Sequence, residues 1–284
     1  MIRRTGWLAL GFAAGCASGS TAGGAAPAAK PNVDPVAPPP VVSNVKLQPE
    51  AVAHYALSRV DSLTVTMSGS DQGQVLDRIL YLTVTTEPST TGRQVTILVD
   101  SQQVREAGLV SPIVLDSLRG MRWTGMIGAD GRVGRFTASR PTLIGAGLDG
   151  QFRLLFPALP KGGIGAGASW TDSTSDTVQV SAFGGHDTAR LDYKAGEGER
   201  AIGEPVLPVS LRRLSLITGS TMQSGQVITI AGNDSTEIRY RISTSGRLIS
   251  AEGSSNSALT ITIPAVGQTL PASKRAFFSL TRIP

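Results

Sequence analysis

From about residue 45 to the C-terminus, apolar and polar side chains alternate with a period of two. Leu63, Val65 and Met67 alternate with Thr64 and Thr66. Leu80, Leu82 and Val84 share one face, and Tyr81, Thr83 and Thr85 the other. Val95, Ile97 and Val99 repeat the pattern. Ile238, Tyr240 and Ile242 are set against Glu237, Arg239 and Arg241, and Leu259, Ile261 and Ile263 against Thr260 and Thr262. Successive strand residues point to opposite faces, so one apolar and one polar face per segment predicts antiparallel sheet buried on a single side. The β-branched and aromatic content of these runs agrees.

Turn chemistry separates the runs. Ala129-Asp130-Gly131-Arg132 and Ser245-Gly246-Arg247 read as tight hairpin turns, because glycine accepts the left-handed backbone such turns need. The two places are alike at an offset of 115: Ile127, Gly131, Arg132 and Val133 against Ile242, Gly246, Arg247 and Leu248. Common hairpin grammar explains this better than duplication. Helix signals are few. Ser111 to Leu118 has a serine N-cap, proline at the first helical position and one apolar face. Gln151 to Phe156 is a second candidate, stopped by Pro157 and Pro160. Residues 45–284 are expected to form one domain, with the glycine-rich stretch Gly162 to Gly167 as the place for any internal boundary.

The N-terminal 44 residues have no such periodicity. Residues 17–44 hold six prolines in 28 positions. A stretch so poor in apolar side chains cannot offset its ordering entropy, so it is expected to be a disordered, partly polyproline II tether. At about 3.1 Å per residue in its stiff parts, it reaches several tens of ångströms. Before it stand Arg3 and Arg4 and an apolar run from Gly6 to Gly15. Ten residues are too few to span a roughly 30 Å hydrocarbon core, but suit the apolar region of a signal peptide. Cys16 follows directly and is the single cysteine of the chain.

Ala13-Ala14-Gly15-Cys16 resembles the lipobox of bacterial lipoproteins, with Ala13 where that family most often has leucine. The resemblance implies cleavage after residue 15, acylation of the Cys16 thiol, and acylation of the new amine. Two or three acyl chains anchor stably, since each buried methylene contributes about 0.8 kcal/mol. Ala17 rather than aspartate after the cysteine implies the outer membrane. The partner so implied is the membrane, through acyl chains on Cys16. Loss of Arg3 and Arg4 lowers the formal side-chain charge from +5 to +3.

Composition narrows the chemistry. One cysteine excludes an internal disulfide, cysteine-based zinc sites and iron–sulfur clusters. Two histidines, His54 and His186, exclude histidine-rich metal sites. No metal and no cofactor are expected. The sequence pI is about 9.7, yet the cations are scattered singly rather than gathered in a stripe, so no nucleic-acid partner is expected.

Several motifs tempt. Gly145-Ala146-Gly147-Leu148-Asp149-Gly150 fits the dinucleotide-binding pattern G-x-G-x-x-G, but no strand–helix–strand unit surrounds it. Ser43-Asn44-Val45-Lys46 fits S-x-x-K, without its companion motifs and at the end of the tether. His54 opens the first strand region, and His186 in Gly184-Gly185-His186-Asp187 reads as an exposed turn. Neither has a partner pattern for general base work, and no catalytic residue is assigned. Trp123 and Trp170 read as packing anchors, whereas Trp7 goes with the signal peptide. Asn233-Asp234-Ser235 matches a glycosylation sequon, which carries little weight beside a lipobox.

These observations predict a mainly β fold: an antiparallel sheet forming a half-barrel, barrel or sandwich, with one or two short helices. The body vaguely resembles the half-barrel carriers of lipids and lipoproteins in the periplasm. The proline-flanked loop leading to Gly167-Ala168-Ser169-Trp170 resembles β-rich envelope lipoproteins. The expected function is an exported, lipid-anchored envelope lipoprotein with a non-enzymatic binding or scaffold domain. Its further partner is an envelope protein, a glycan or a lipid. The alternatives are a carrier of lipid or another apolar ligand and, behind it, an envelope hydrolase.

Overall fold

The computed structural model describes residues 44–67, 69–108, 115–128, 131–140, 143–180, 183–223 and 225–284. The signal segment, Cys16, Ser43 and the tether up to residue 43 lie outside the described residues, as do 111–114 of the first predicted helix.

Among the described residues, twelve strands and one long helix follow in chain order, with a short 3-10 turn at Pro264–Val266. They are β1 (Val52–Met67), β2 (Ser70–Ser89), β3 (Gly92–Glu106), β4 (Arg122–Gly128) and β5 (Thr137–Ala138), then helix α1 (Leu143–Arg153). Next come β6 (Ser169–Val180), β7 (Phe183–Ala195), β8 (Glu199–Ala201), β9 (Glu204–Gln223), β10 (Gln226–Ser243), β11 (Leu248–Ile263) and β12 (Gln268–Ile283). All belong to one antiparallel sheet in the order β5-β4-β3-β2-β1-β12-β11-β10-β9-β7-β6, with β8 paired to β9 beside this path. The fold is mainly β, a single open sheet of the half-barrel kind.

The predicted alternation sets which face is buried in Leu80–Val84, Val95–Val99 and Ile238–Ile242, whereas Leu63–Met67 and Leu259–Ile263 bury neither face fully. Tyr55 and Leu57 of β1 stand opposite Leu82 and Leu80 of β2, and Leu57 also faces Leu280 of β12. All five are buried. Ile97, Trp123, Val209 and Tyr240 continue this inner face toward the two edges and are fully enclosed. Burying each such side chain contributes about 1.5–3 kcal/mol.

Helix α1 covers this half of the inner face. Leu148 and Phe152 are fully buried, and Phe152 meets Trp123 edge-on with ring centroids 4.9 Å apart. The helix packs against both β5 and β6, the strands at opposite ends of the sheet. The sheet therefore curls until its edges flank the helix. Arg132, after β4, reaches Asp172 on β6 at 2.7 Å across the same gap.

One helix reading is corrected, and the other is only partly described. The helix predicted over Gln151 to Phe156 begins eight residues earlier, at Leu143, and ends three residues earlier, at Arg153. Glycines 145, 147 and 150 hide it, because glycine disfavours helix by about 1 kcal/mol each. Packing of Leu148 and Phe152 overrides that preference. After Arg153 the chain tightens through Leu154, Leu155 and Phe156 and stops at Pro157. In the first predicted helix, only Leu115 and Asp116 of the described residues are helical, and turns follow.

The two similar turns have the same hydrogen bonds. Gly131 N–H donates to Gly128 O and Gly128 N–H to Arg132 O. Gly246 N–H donates to Ser243 O and Ser243 N–H to Arg247 O. The second joins β10 to β11. The first leads only to one bridge, Ile127 to Val133, so it does not open a long hairpin.

The described residues, from 44 to 284, group as one unit. The stretch Gly162 to Gly167 lies within it, and Ile164 there bridges Val45.

Candidate ligand-binding face

The strands outrun the helix. β9 and β2 have 20 residues each, about 65 Å at roughly 3.3 Å per residue. An 11-residue helix is about 16 Å long. Beyond Leu57, every β1 residue to Thr66 is half-buried, with no further alternation. The inner face is thus a core at one end and open toward the other.

Three zones follow one another along this face. Nearest the core is a cavity of about 1110 Å³. Leu57, Tyr240 and Phe278 wall it from the sheet, and Leu154 and Phe156 from the chain after α1. That volume is ample for a small organic ligand.

A charged belt crosses the sheet at its rim. Asp234 on β10 is buried and accepts from Thr236 (2.7 Å), Ser257 (2.7 Å), Ser255 (3.0 Å) and Arg213 (3.3 Å). Arg213 on β9 also pairs with Asp187 on β7. On β1, Arg59 holds Asp61 through Nε and Nη2, both at 2.7 Å, and Lys274 of β12 lies 3.6 Å from the same carboxylate. Burial alone would raise the Asp61 carboxyl. Arg59, Lys274 and Arg78 outweigh it and hold the group below the usual carboxylate range. Arg78 is the Cα partner of Arg59 and only 4% exposed, yet its Nε and Nη1 have no hydrogen-bond partner. Burial lowers its pKa from the ordinary value, with Asp61 opposing and Arg59 assisting.

Past the belt the face turns apolar again. Ile217, Gly232, Leu259, Ala272 and Val65 form one row across five neighbouring strands. Ile230, Ile261 and Leu270 form the next. The aliphatic residues of both rows except Ala272 are half-buried, packed side by side with no described element over them. Single exposed apolar side chains are ordinary, but a continuous patch marks a binding surface. A shallower groove on the outer face passes Leu214 and Leu216 among serine and asparagine side chains.

The sequence candidates are placed as follows. Gly145, Gly147 and Gly150 lie inside α1 itself, not in a loop before a helix N-terminus, so no phosphate cradle forms there. His186 is not in a turn. It is an exposed residue within β7, paired with Thr218 of β9. His54 is exposed on β1, with Nδ1 3.1 Å from Thr83 Oγ1, and Thr83 donates to Asp100 at 2.8 Å. The Thr83 proton goes to the carboxylate rather than to the imidazole, the reverse of an activated nucleophile. Trp123 is a core anchor. Trp170 is half-buried, stacks on Tyr193 with centroids 5.0 Å apart and donates to Ala158 O at 2.9 Å. Asn233 is exposed on the outer face.

Sequence reasoning missed Arg59, Asp61, Arg78, Arg213 and Asp234. Their common signal is a polar residue in the apolar phase of a strand. Arg78 keeps step with Leu76, Leu80 and Leu82, and Asp61 with Leu57 and Leu63.

No family model matches the chain, and no curated protein matches it. Among solved structures, one domain named for outer membrane lipoprotein sorting, from Vibrio parahaemolyticus, is similar at 7% identity and a TM-score of 0.21. The match covers 81% of this chain and 83% of that one. Among the described residues, no helix is long and apolar enough to cross a membrane, and no cluster of His, Cys, Asp and Glu could hold a metal ion.

Proposed function

We propose that this chain is a lipid-anchored envelope lipoprotein whose β body binds an apolar or amphiphilic molecule on its inner face, without catalysis. The observation that carries the binding reading is the uncovered aliphatic rows beside a cavity of about 1110 Å³. A core needs those rows covered, and a ligand that covers them gains the transfer energy the sheet leaves unused. The anchor reading rests on Cys16 after a ten-residue apolar run. Together they make a reach-and-hold device: acyl chains on Cys16 in the outer membrane, a proline-rich tether, and a lipid-holding body.

Native mass spectrometry of the full chain from its own envelope tests the body. A co-purifying mass of lipid size, lost on denaturation, is expected. A bare protein mass at the gentlest ionisation overturns the reading. Cys16→Ser tests the anchor: the protein should leave the membrane fraction and lose its acyl mass.

A further inference from the structure

Arg78 is an expensive side chain to leave as it stands. A guanidinium carries five donors and stays charged, so burial without partners is unfavourable. It is 4% exposed, and its Nε and Nη1 bond to nothing. Its neighbour Arg59 is committed to Asp61 through two hydrogen bonds. Lys274 shares that same carboxylate at 3.6 Å. Three cations thus converge on one anion, and the local charge is +2. A second, independent observation lies one residue pair away. Gln102 of β3, Cα partner of Leu80 and on the same face, has both Oε1 and Nε2 buried without a partner. Unmet buried donors that gather at one place in a strand face ask for a missing acceptor.

We propose that Arg78, with the Gln102 amide beside it and the positive charge of Lys274 acting at longer range, binds the anionic head of an amphiphile, a carboxylate or phosphate, held on the inner face. This deepens the reading above and rests on it. Arg59 lines the cavity and stands between Arg78 and Phe278 in register, so a head group at Arg78 adjoins the apolar walls. Val65, at the first aliphatic row, lies six residues along β1 from Arg59, about 20 Å at roughly 3.3 Å per residue. That matches an extended long acyl chain. Arg59 itself is a positioning residue: it orients Asp61 and keeps that carboxylate from capturing Arg78.

The test uses the full chain carrying Cys16→Ser, so that no acyl group of its own competes. Two fluorescent probes are compared, cis-parinaric acid and its methyl ester, which differ only in the head-group charge. Both should bind, the acid at least about tenfold tighter, as charged hydrogen bonds require. Arg78→Met should bring the acid down to the ester's affinity and leave the ester unchanged. Lys274→Met should remove part of the preference. Equal binding of acid and ester, or a preference that survives Arg78→Met, overturns the proposal. If Arg78→Met does not fold, the acid-to-ester ratio with and without Lys274→Met still decides it. Failure of both probes to bind overturns the apolar-face reading instead. Inorganic phosphate separates the sources. Arg78-dependent thermal stabilisation by phosphate without any acid preference means a free-anion site and overturns the amphiphile assignment. Phosphate that competes with the acid while the preference stands supports it.

Discussion

The Tyr240 hydroxyl donates to the backbone oxygen of Leu154 at 2.7 Å. The two residues are 86 apart in the chain, and the bond fastens the floor of the sheet to the end of the helix. Burial raises the Tyr240 pKa well above its ordinary value, so the hydroxyl keeps its proton. Tyr240→Phe should cost about 1–3 kcal/mol, because Leu154 O loses its donor. Urea denaturation would show it as a lower midpoint at unchanged slope. An unchanged midpoint would mean the helix is held by packing alone.

Asp234 is the hub of the charged belt, and its four donors come from β9, β10 and β11. Asp234→Ala removes the acceptor for all of them and half of Arg213's compensation. A loss of about 3 kcal/mol is expected. The pair Asp234→Leu with Arg213→Met should recover part of that loss, since it removes both charges together. A double variant no more stable than the single one would contradict this account.

Asp149 on α1 makes stability depend on pH. Burial raises its carboxyl above the usual range, although the Phe136 N–H and the charges of Arg135 and Arg153 pull it down. A group whose folded pKa is raised favours the native state when protonated. Its contribution is therefore lost as pH rises through the window that begins near the unfolded value of about 3.9. In Asp149→Asn the amide oxygen can still accept from Phe136 N–H, a bond now made at 2.6 Å to Asp149 Oδ1. The substitution should thus gain stability over the parent at pH 7 and gain least at pH 3.5. Paired thermal melts across that range check the sign, and a gain that shrinks with rising pH would refute it.

Gly246 and Gly225 make a controlled comparison. Both have positive φ, 85° and 75°. A Cβ on Gly246 would stand 2.0 Å from Lys46 O, whereas one on Gly225 meets nothing within 4 Å. Gly246 O also accepts from Gln48 N–H at 2.8 Å, which pins the segment leading into β1. Gly225→Ala should cost only the left-handed penalty, about 1–2 kcal/mol, and Gly246→Ala clearly more. Equal shifts in melting temperature would show that the turn can move away from Lys46.

Much of the fold was legible because strand faces are a local property. Leu80, Leu82 and Val84 point inward for the same reason they alternate. The helix was half legible: its last turn falls in the predicted segment, but three glycines conceal its start, and only contact with Trp123 shows why Leu143–Arg153 is helical. His186 misled because two glycines imitate a turn, whereas pairing with Thr218 keeps the segment extended. The belt was visible only as single misplaced charges, such as Arg78 among leucines.

By itself, the sequence determined the alternating faces, the turn glycines, the proline-rich approach and the cysteine after an apolar run, all of which act within a few residues. The tertiary structure alone decided the strand order, the curl that brings β5 and β6 to the same helix, and the length of sheet left uncovered. It also brought Asp187, Arg213 and Asp234 together and left Arg78 without a partner for its Nε and Nη1. These depend on register across neighbouring strands and on where an 11-residue helix ends above 20-residue strands. No window of sequence contains that difference in length, and it is this difference that leaves part of the inner face uncovered.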